Sequence, residues 1–343
     1  MAFPKPELIA FLLFALVTLS FTTPSSATDC GGAGAGAISV FWGQKPNASE
    51  GTLESLCSSG NYNIVIIQSL LVFDDGKEPD INLADHCGTA SCSQLQPQIE
   101  YCQQNNIKVF LSIGQDRTAL KTKRHRRYSS SDDIIGAEKL ASYIFEKYLS
   151  GQPGPLGSVA LDGINLADVQ DGENLKWDEL AKAFQTYTTE KKIYLSAAPE
   201  CVYPDYYLGT AISTGLFDYI WVEFFYQNPC LYTNGDATEL LKAWGRWTAG
   251  VPNSKIFLAI VVASDEEIAG YIPPQDLISK VLPTIKQSSN YGGVAIWDRY
   301  FDLSNNYTAQ IKDSVQKGCR CVCDGDAWNG FYGLGSASLG MLV

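Results

Sequence analysis

Histidine is scarce: two in 343 residues, which argues against a zinc enzyme built on imidazole ligands. Cations are also few. Lys and Arg number 25 against 37 Asp and Glu, a net charge of −12, and phosphate neutralisation over a nucleic-acid footprint needs the opposite balance. No apolar run reaches the ~20 residues that span a bilayer; Leu8–Phe21 comes nearest and falls short. No G-x-G-x-x-G follows the first strand-like run, which removes the phosphate-cradling turn of a dinucleotide fold. Disorder is excluded as well, because 45% of the residues are hydrophobic and only 18% are charged.

What is present begins at the N-terminus. Lys5 precedes Leu8–Phe21, and Thr22 to Ala27 are small or turn-forming, the pattern of a secretory signal peptide over residues 1–27. The expected destination is extracellular or vacuolar, an oxidising route in which the ten cysteines become disulfide candidates. Asn47-Ala48-Ser49 and Asn306-Tyr307-Thr308 are then glycosylation sequons at Asn47 and Asn306.

From residue 37 onward, runs rich in Val, Ile, Leu and aromatics recur at Ala37–Gln44, Ile64–Phe73, Lys108–Gly114, Ser158–Leu166, Lys192–Ala198, Tyr219–Phe225, Lys255–Ala263 and Gly293–Tyr300. Such near-continuous apolar runs suit parallel strands covered on both faces. Helical patterns lie between them at Leu95–Asn105, Ile134–Leu149, Trp177–Thr189 and Pro274–Gln287. Eight strands alternating with helices predict a single-domain (β/α)8 TIM barrel over 28–316, and a Cys/Gly-rich tail over 317–343 outside it. Barrel chemistry sits at the C-terminal ends of strands.

At those ends the chain resembles the hevamine-like plant class III chitinases of glycoside hydrolase family 18. The segments that carry the resemblance are Phe41-Trp42-Gly43-Gln44, Glu50-Gly51-Thr52-Leu53, Ile81-Asn82-Leu83-Ala84, Leu161-Asp162-Gly163-Ile164, Ser196-Ala197-Ala198-Pro199 and Tyr291-Gly292-Gly293-Val294. The closing Trp297-Asp298-Arg299-Tyr300-Phe301-Asp302 is most similar to the xylanase-inhibitor branch, with chitinase-like lectins nearby. The resemblance implies disulfides Cys57–Cys102, Cys87–Cys92 and Cys201–Cys230. It gives Cys30, Cys319, Cys321 and Cys323 no counterpart. It further implies a glycan site formed by Phe41, Gln44, Glu223 and Trp297, without a cofactor or metal.

Active members of that family carry D-x-x-D-x-D-x-E at the end of the fourth strand, where the glutamic acid protonates the leaving oxygen and the substrate's own N-acetyl group attacks. This chain reads Asp162-Gly163-Ile164-Asn165-Leu166-Ala167-Asp168-Val169-Gln170, one residue longer. With a gap near Ala167, Asn165 replaces an aspartate, Asp168 matches and Gln170 replaces the acid. Without one, the inward positions are Asn165, Ala167 and Val169. Neither register supplies a glutamate, and an amide cannot act as a general acid. Where the family tyrosine holds the N-acetyl carbonyl, direct alignment places Phe225; Tyr226 takes the place only with a one-residue slip.

Lys121, Lys123, Arg124, Arg126 and Arg127 concentrate positive charge after the third predicted strand, on an otherwise acidic chain. Such a loop suits an acidic enzyme cleft. The expectation is a monomeric chitinase-like protein that acts by binding. Its partner is a microbial xylanase-type glycoside hydrolase or chitin and N-acetylglucosamine glycans, not nucleic acid or membrane. An active endochitinase, with Asp168 as a displaced acid, and a storage protein are the alternatives.

Overall fold

A computed structural model describes residues 34–71, 79–87, 91–114, 136–167, 176–188, 191–226, 229–263 and 268–317. The signal segment, Asp168, Gln170, the basic run 121–127 and the cysteines at 30, 319, 321 and 323 lie outside them.

Strands β1 (Ala37–Trp42), β2 (Ile64–Leu71), β4 (Lys108–Gly114), β5 (Gly163–Ala167), β6 (Tyr194–Ala198), β7 (Tyr219–Glu223), β8 (Lys255–Val261) and β9 (Tyr291–Trp297) pair in parallel. The β1–β9 and β1–β2 pairings close the sheet on itself. The architecture is the (β/α)8 barrel that the alternation of runs implies. A short strand, β3 (Asp80–Ile81), adds to β2 in antiparallel sense, and no sequence pattern singled it out.

Alternation along each strand sorts the core into two sets. Outward side chains such as Val65, Leu111, Ile164 and Leu258 join the buried faces of the surrounding helices. Inward side chains fill the barrel with Phe41, Ile66, Phe110, Trp221 and Phe257. The helices present one apolar stripe each. In Trp177–Phe184, Trp177, Leu180, Ala181 and Phe184 are buried, spaced three and four apart as a core-facing helix requires.

Several predicted strand limits shift by two residues, and two shift further. The run expected from Ser158 enters the sheet only at Gly163, because Asp162 turns its carboxylate back on Val109 N (2.8 Å) and Gln103 Nε2 (3.0 Å). The run expected to end at Tyr300 stops at Trp297. Asp298 there accepts the Phe301 N–H (3.2 Å) and caps a helix over Arg299–Asn305. Three disulfides, Cys57–Cys102, Cys87–Cys92 and Cys201–Cys230, have the implied pairing. Among the described residues no helix is long and apolar enough to cross a membrane.

Candidate functional site

The inward residues near the C-terminal strand ends form the candidate site. Ser112, Asn165 and Ser196 stand in register across β4, β5 and β6, all fully buried. Asn165 Nδ2 donates to Ser112 Oγ (3.0 Å), while Ser196 Oγ donates to Asn165 Oδ1 (3.2 Å) and to Ile164 O (3.0 Å). Both ends of the amide are therefore engaged by neutral partners, an arrangement that a buried polar group needs.

One pleat further on, Ala167 is opposite Ala198, and its methyl faces Gly114, so a Cβ on that glycine would lie 3.0 Å away. Pairing is regular through Ala167, so any extra residue relative to the family pattern lies beyond it. The described inner face of β5 thus offers one amide and one methyl group. Asp162 sits before the strand begins, at the opposite end of the barrel, and ties β4 and the helix Gln96–Gln104 to β5.

Trp297, half-buried, is the exposed end of an aromatic group. Its ring stacks on Phe225 (centroids 5.7 Å apart, 29° between planes) and meets Phe41 at 5.2 Å. Phe225 and Phe41 are fully buried, so they fix the indole as a platform. Phe225, not Tyr226, occupies the inner place. Tyr226 has φ +61° and is 38% exposed, with its ring edge-on to Phe225. Glu223 ends β7, with 8% of its surface exposed. Gln44 is a tie between loops: its Nε2 donates to Gln68 O (2.7 Å) and Asn82 O (3.1 Å).

Glu50, marked in the sequence only as part of a resembling segment, is fully buried. Glu50 Oε2 accepts from Gly43 N (3.0 Å) and Lys45 N (3.1 Å) and lies 3.2 Å from His86 Nε2. Its Oε1 is buried with no hydrogen-bond partner. The Asp298 carboxyl is pushed up to about 6, chiefly by burial and further by the Glu50 charge, against the opposing pull of the Phe301 N–H and Lys45. The role of Ser112 and Ser196 was also missed, since their level with Asn165 follows from strand register. Asn47 and Asn306 are both exposed. Among the described residues no group of three or more His, Cys, Asp or Glu side chains is arranged to hold a metal ion.

No protein-family model matches the chain. The acidic endochitinase of Vitis vinifera is 39% identical over 318 residues, covering 90% of this chain and 97% of the relative. Among solved structures, the tamarind chitinase-like lectin superposes with a TM-score of 0.73 at 43% identity, covering 81% of this chain and all of the other. The xylanase and alpha-amylase inhibitor protein XAIP-II of Scadoxus multiflorus reaches 0.71 at 34% identity, covering 81% and 98%. The relatives thus include chitinases, a lectin and enzyme inhibitors on one barrel. By this similarity over nearly its whole described length, the chain belongs to the plant acidic endochitinase family, the class III chitinase-like proteins of glycoside hydrolase family 18.

Proposed function

We propose that the protein is a secreted, catalytically silent chitinase-like protein that acts by binding either a microbial xylanase-type glycoside hydrolase or N-acetylglucosamine glycans. The observation that carries this reading is the inner face of β5, where Asn165 is held between two serines and Ala167 follows it. Substrate-assisted hydrolysis needs a carboxylate to orient the N-acetyl group and an acid to protonate the leaving oxygen. General acid–base help contributes typically ~10²–10⁴-fold, and neither an amide nor a methyl supplies it. Phe225 adds a second loss, a ring without the hydroxyl that would hold the N-acetyl carbonyl. The half-buried Trp297 keeps an aromatic surface suited to a sugar ring, so recognition outlives catalysis in this reading.

The competing reading is an active endochitinase using Asp168 as a displaced acid, and the curated relatives named acidic endochitinases favour it. One pair of assays separates the two. Purified protein is incubated with chitin oligomers and products are counted; tryptophan fluorescence is titrated with the same oligomers. Turnover well above a blank, abolished by Asp168→Ala, overturns the silent reading. Fluorescence change without turnover assigns glycan binding, and loss of fungal xylanase activity on adding the protein assigns inhibition. A Gln170→Glu variant is expected to remain inactive, because Asn165, Ala167 and Phe225 stay in place.

A further inference from the structure

At the far end of the barrel from the sugar platform, a cavity of about 390 Å³ opens among the first residues of the strands. Its lining includes Lys108, Lys255, Asn63, Asn106, Tyr219 and Phe257. Two lysines and no acid line it, on a chain where acids outnumber bases. Lys108 opens β4 and Lys255 opens β8, four strands apart in a ring of eight, so they stand on opposite sides of the basin. Each shares the inward phase of the residue two further on, Phe110 and Phe257.

Among the described residues no carboxylate pairs with Lys108 or Lys255, and Lys255 Nζ reaches only the Ser289 carbonyl at 3.3 Å. Lys108 Nζ rests 5.3 Å from the Tyr194 ring centre, and Lys192 Nζ rests 5.2 Å from the same ring, so two cations share one aromatic face system. The carboxylate of Asp218 is already committed, to Lys192 Nζ (2.6 Å) and to Leu195 N (2.9 Å). Asn63 Oδ1 accepts from Ile38 N (2.8 Å) and Gln316 Nε2 (3.0 Å), which leaves its amide NH2 as a donor.

We infer that this basin binds a small phosphate monoester with a cyclic body. The dianionic head answers a lining that carries two lysines and two asparagines and no acid. The body fits the apolar part of the lining, where Phe257 is buried and Tyr219 half-buried. The net charge of −12 does not forbid it, because charges beyond a Debye length of ~8 Å are screened at physiological salt. The site is independent of the proposed glycan-binding cleft at the other rim.

The test titrates the full chain calorimetrically with glucose 6-phosphate, glucose and inorganic phosphate. Glucose 6-phosphate is expected to bind more tightly than either control. Lys108→Gln and Lys255→Gln should each weaken it about tenfold, and Asn106→Asp, which places a carboxylate on the exposed lining, should abolish it. Alanine at Lys121, Lys123, Arg124, Arg126 and Arg127 together should leave it unchanged. No binding of glucose 6-phosphate, equal affinity for glucose or for phosphate, or indifference to both lysine substitutions overturns the assignment. So does a loss confined to the 121–127 variant.

Discussion

Asp298 carries two opposing demands. Its carboxylate caps the Arg299–Asn305 helix through the Phe301 N–H, yet it is buried near the Glu50 charge, and its pKa is pushed up to about 6. An unfolded aspartate titrates near ~3.9. Between roughly pH 4 and pH 6 the folded protein therefore holds a proton that the unfolded chain has lost. The stabilisation is full below the unfolded value and disappears as pH rises through the folded one, by about 2–3 kcal/mol in all. Thermal unfolding should show stability falling from pH 4.5 to 7, and Asp298→Asn, which keeps a capping oxygen, should flatten that slope. A slope unchanged in the variant would assign the dependence elsewhere. Asn165 answers the same logic without charge: Asn165→Leu removes the donor to Ser112 and the acceptor of Ser196, an expected cost of about 1–3 kcal/mol in denaturant unfolding. An unchanged midpoint would show that the buried hydroxyls do not depend on it. Little of this was legible beforehand. Asn165 stood out through its motif, but Glu50, His86 and Asp298 come from three distant segments, and their meeting depends on β1 lying between β2 and β9.

At the scale of elements, the apolar runs identified all eight barrel strands, because parallel strands covered on both faces leave an unmistakable hydrophobic signature. Their ends were less legible. A strand stops where a side chain turns back to the backbone, as Asp162 and Asp298 do, and no periodicity encodes that. β3 escaped notice because two residues carry no period at all. Closure of the barrel depends on one position in particular. Gly293 in β9 has φ +142°, and a Cβ there would fall 1.8 Å from Ala37 O on β1. The two strands are paired at that residue, Ala37 opposite Gly293. Gly293→Ala therefore sets a methyl against main chain that cannot move without parting β1 from β9. An expected loss of more than about 3 kcal/mol, or failure to accumulate folded protein, follows from backbone strain and overlap together. A variant with wild-type denaturation midpoint would mean that the seam between first and last strands is more adaptable than its packing.

For the whole molecule, the count of strands led to a closed barrel, and the implied cysteine pairs proved correct, but the partner is not a property of the fold. The same barrel serves proteins described as chitinase, lectin and inhibitor. Charge distribution is what distinguishes partners, and a total conceals it: five cations between Lys121 and Arg127 stand against a sum of −12. In sequence that run follows β4, which ends at Gly114, and precedes the helix that begins at Ala137. If the protein blocks a carboxylate-lined hydrolase cleft, these five cations are the sequence's densest complement to its charge. Replacing Lys121, Lys123, Arg124, Arg126 and Arg127 with alanine takes the net charge from −12 to −17. Two acidic surfaces would then approach each other, so the association rate with a xylanase should fall about tenfold or more at low ionic strength. The dissociation rate should change less, because rim charges steer encounter more than they hold the complex. Raising salt should bring the two association rates together as screening removes the attraction. Stopped-flow binding at two salt concentrations reads all three quantities. Equal association rates at low salt would remove this loop from the proposed partner surface and move the proposed partner recognition to the aromatic platform around Trp297.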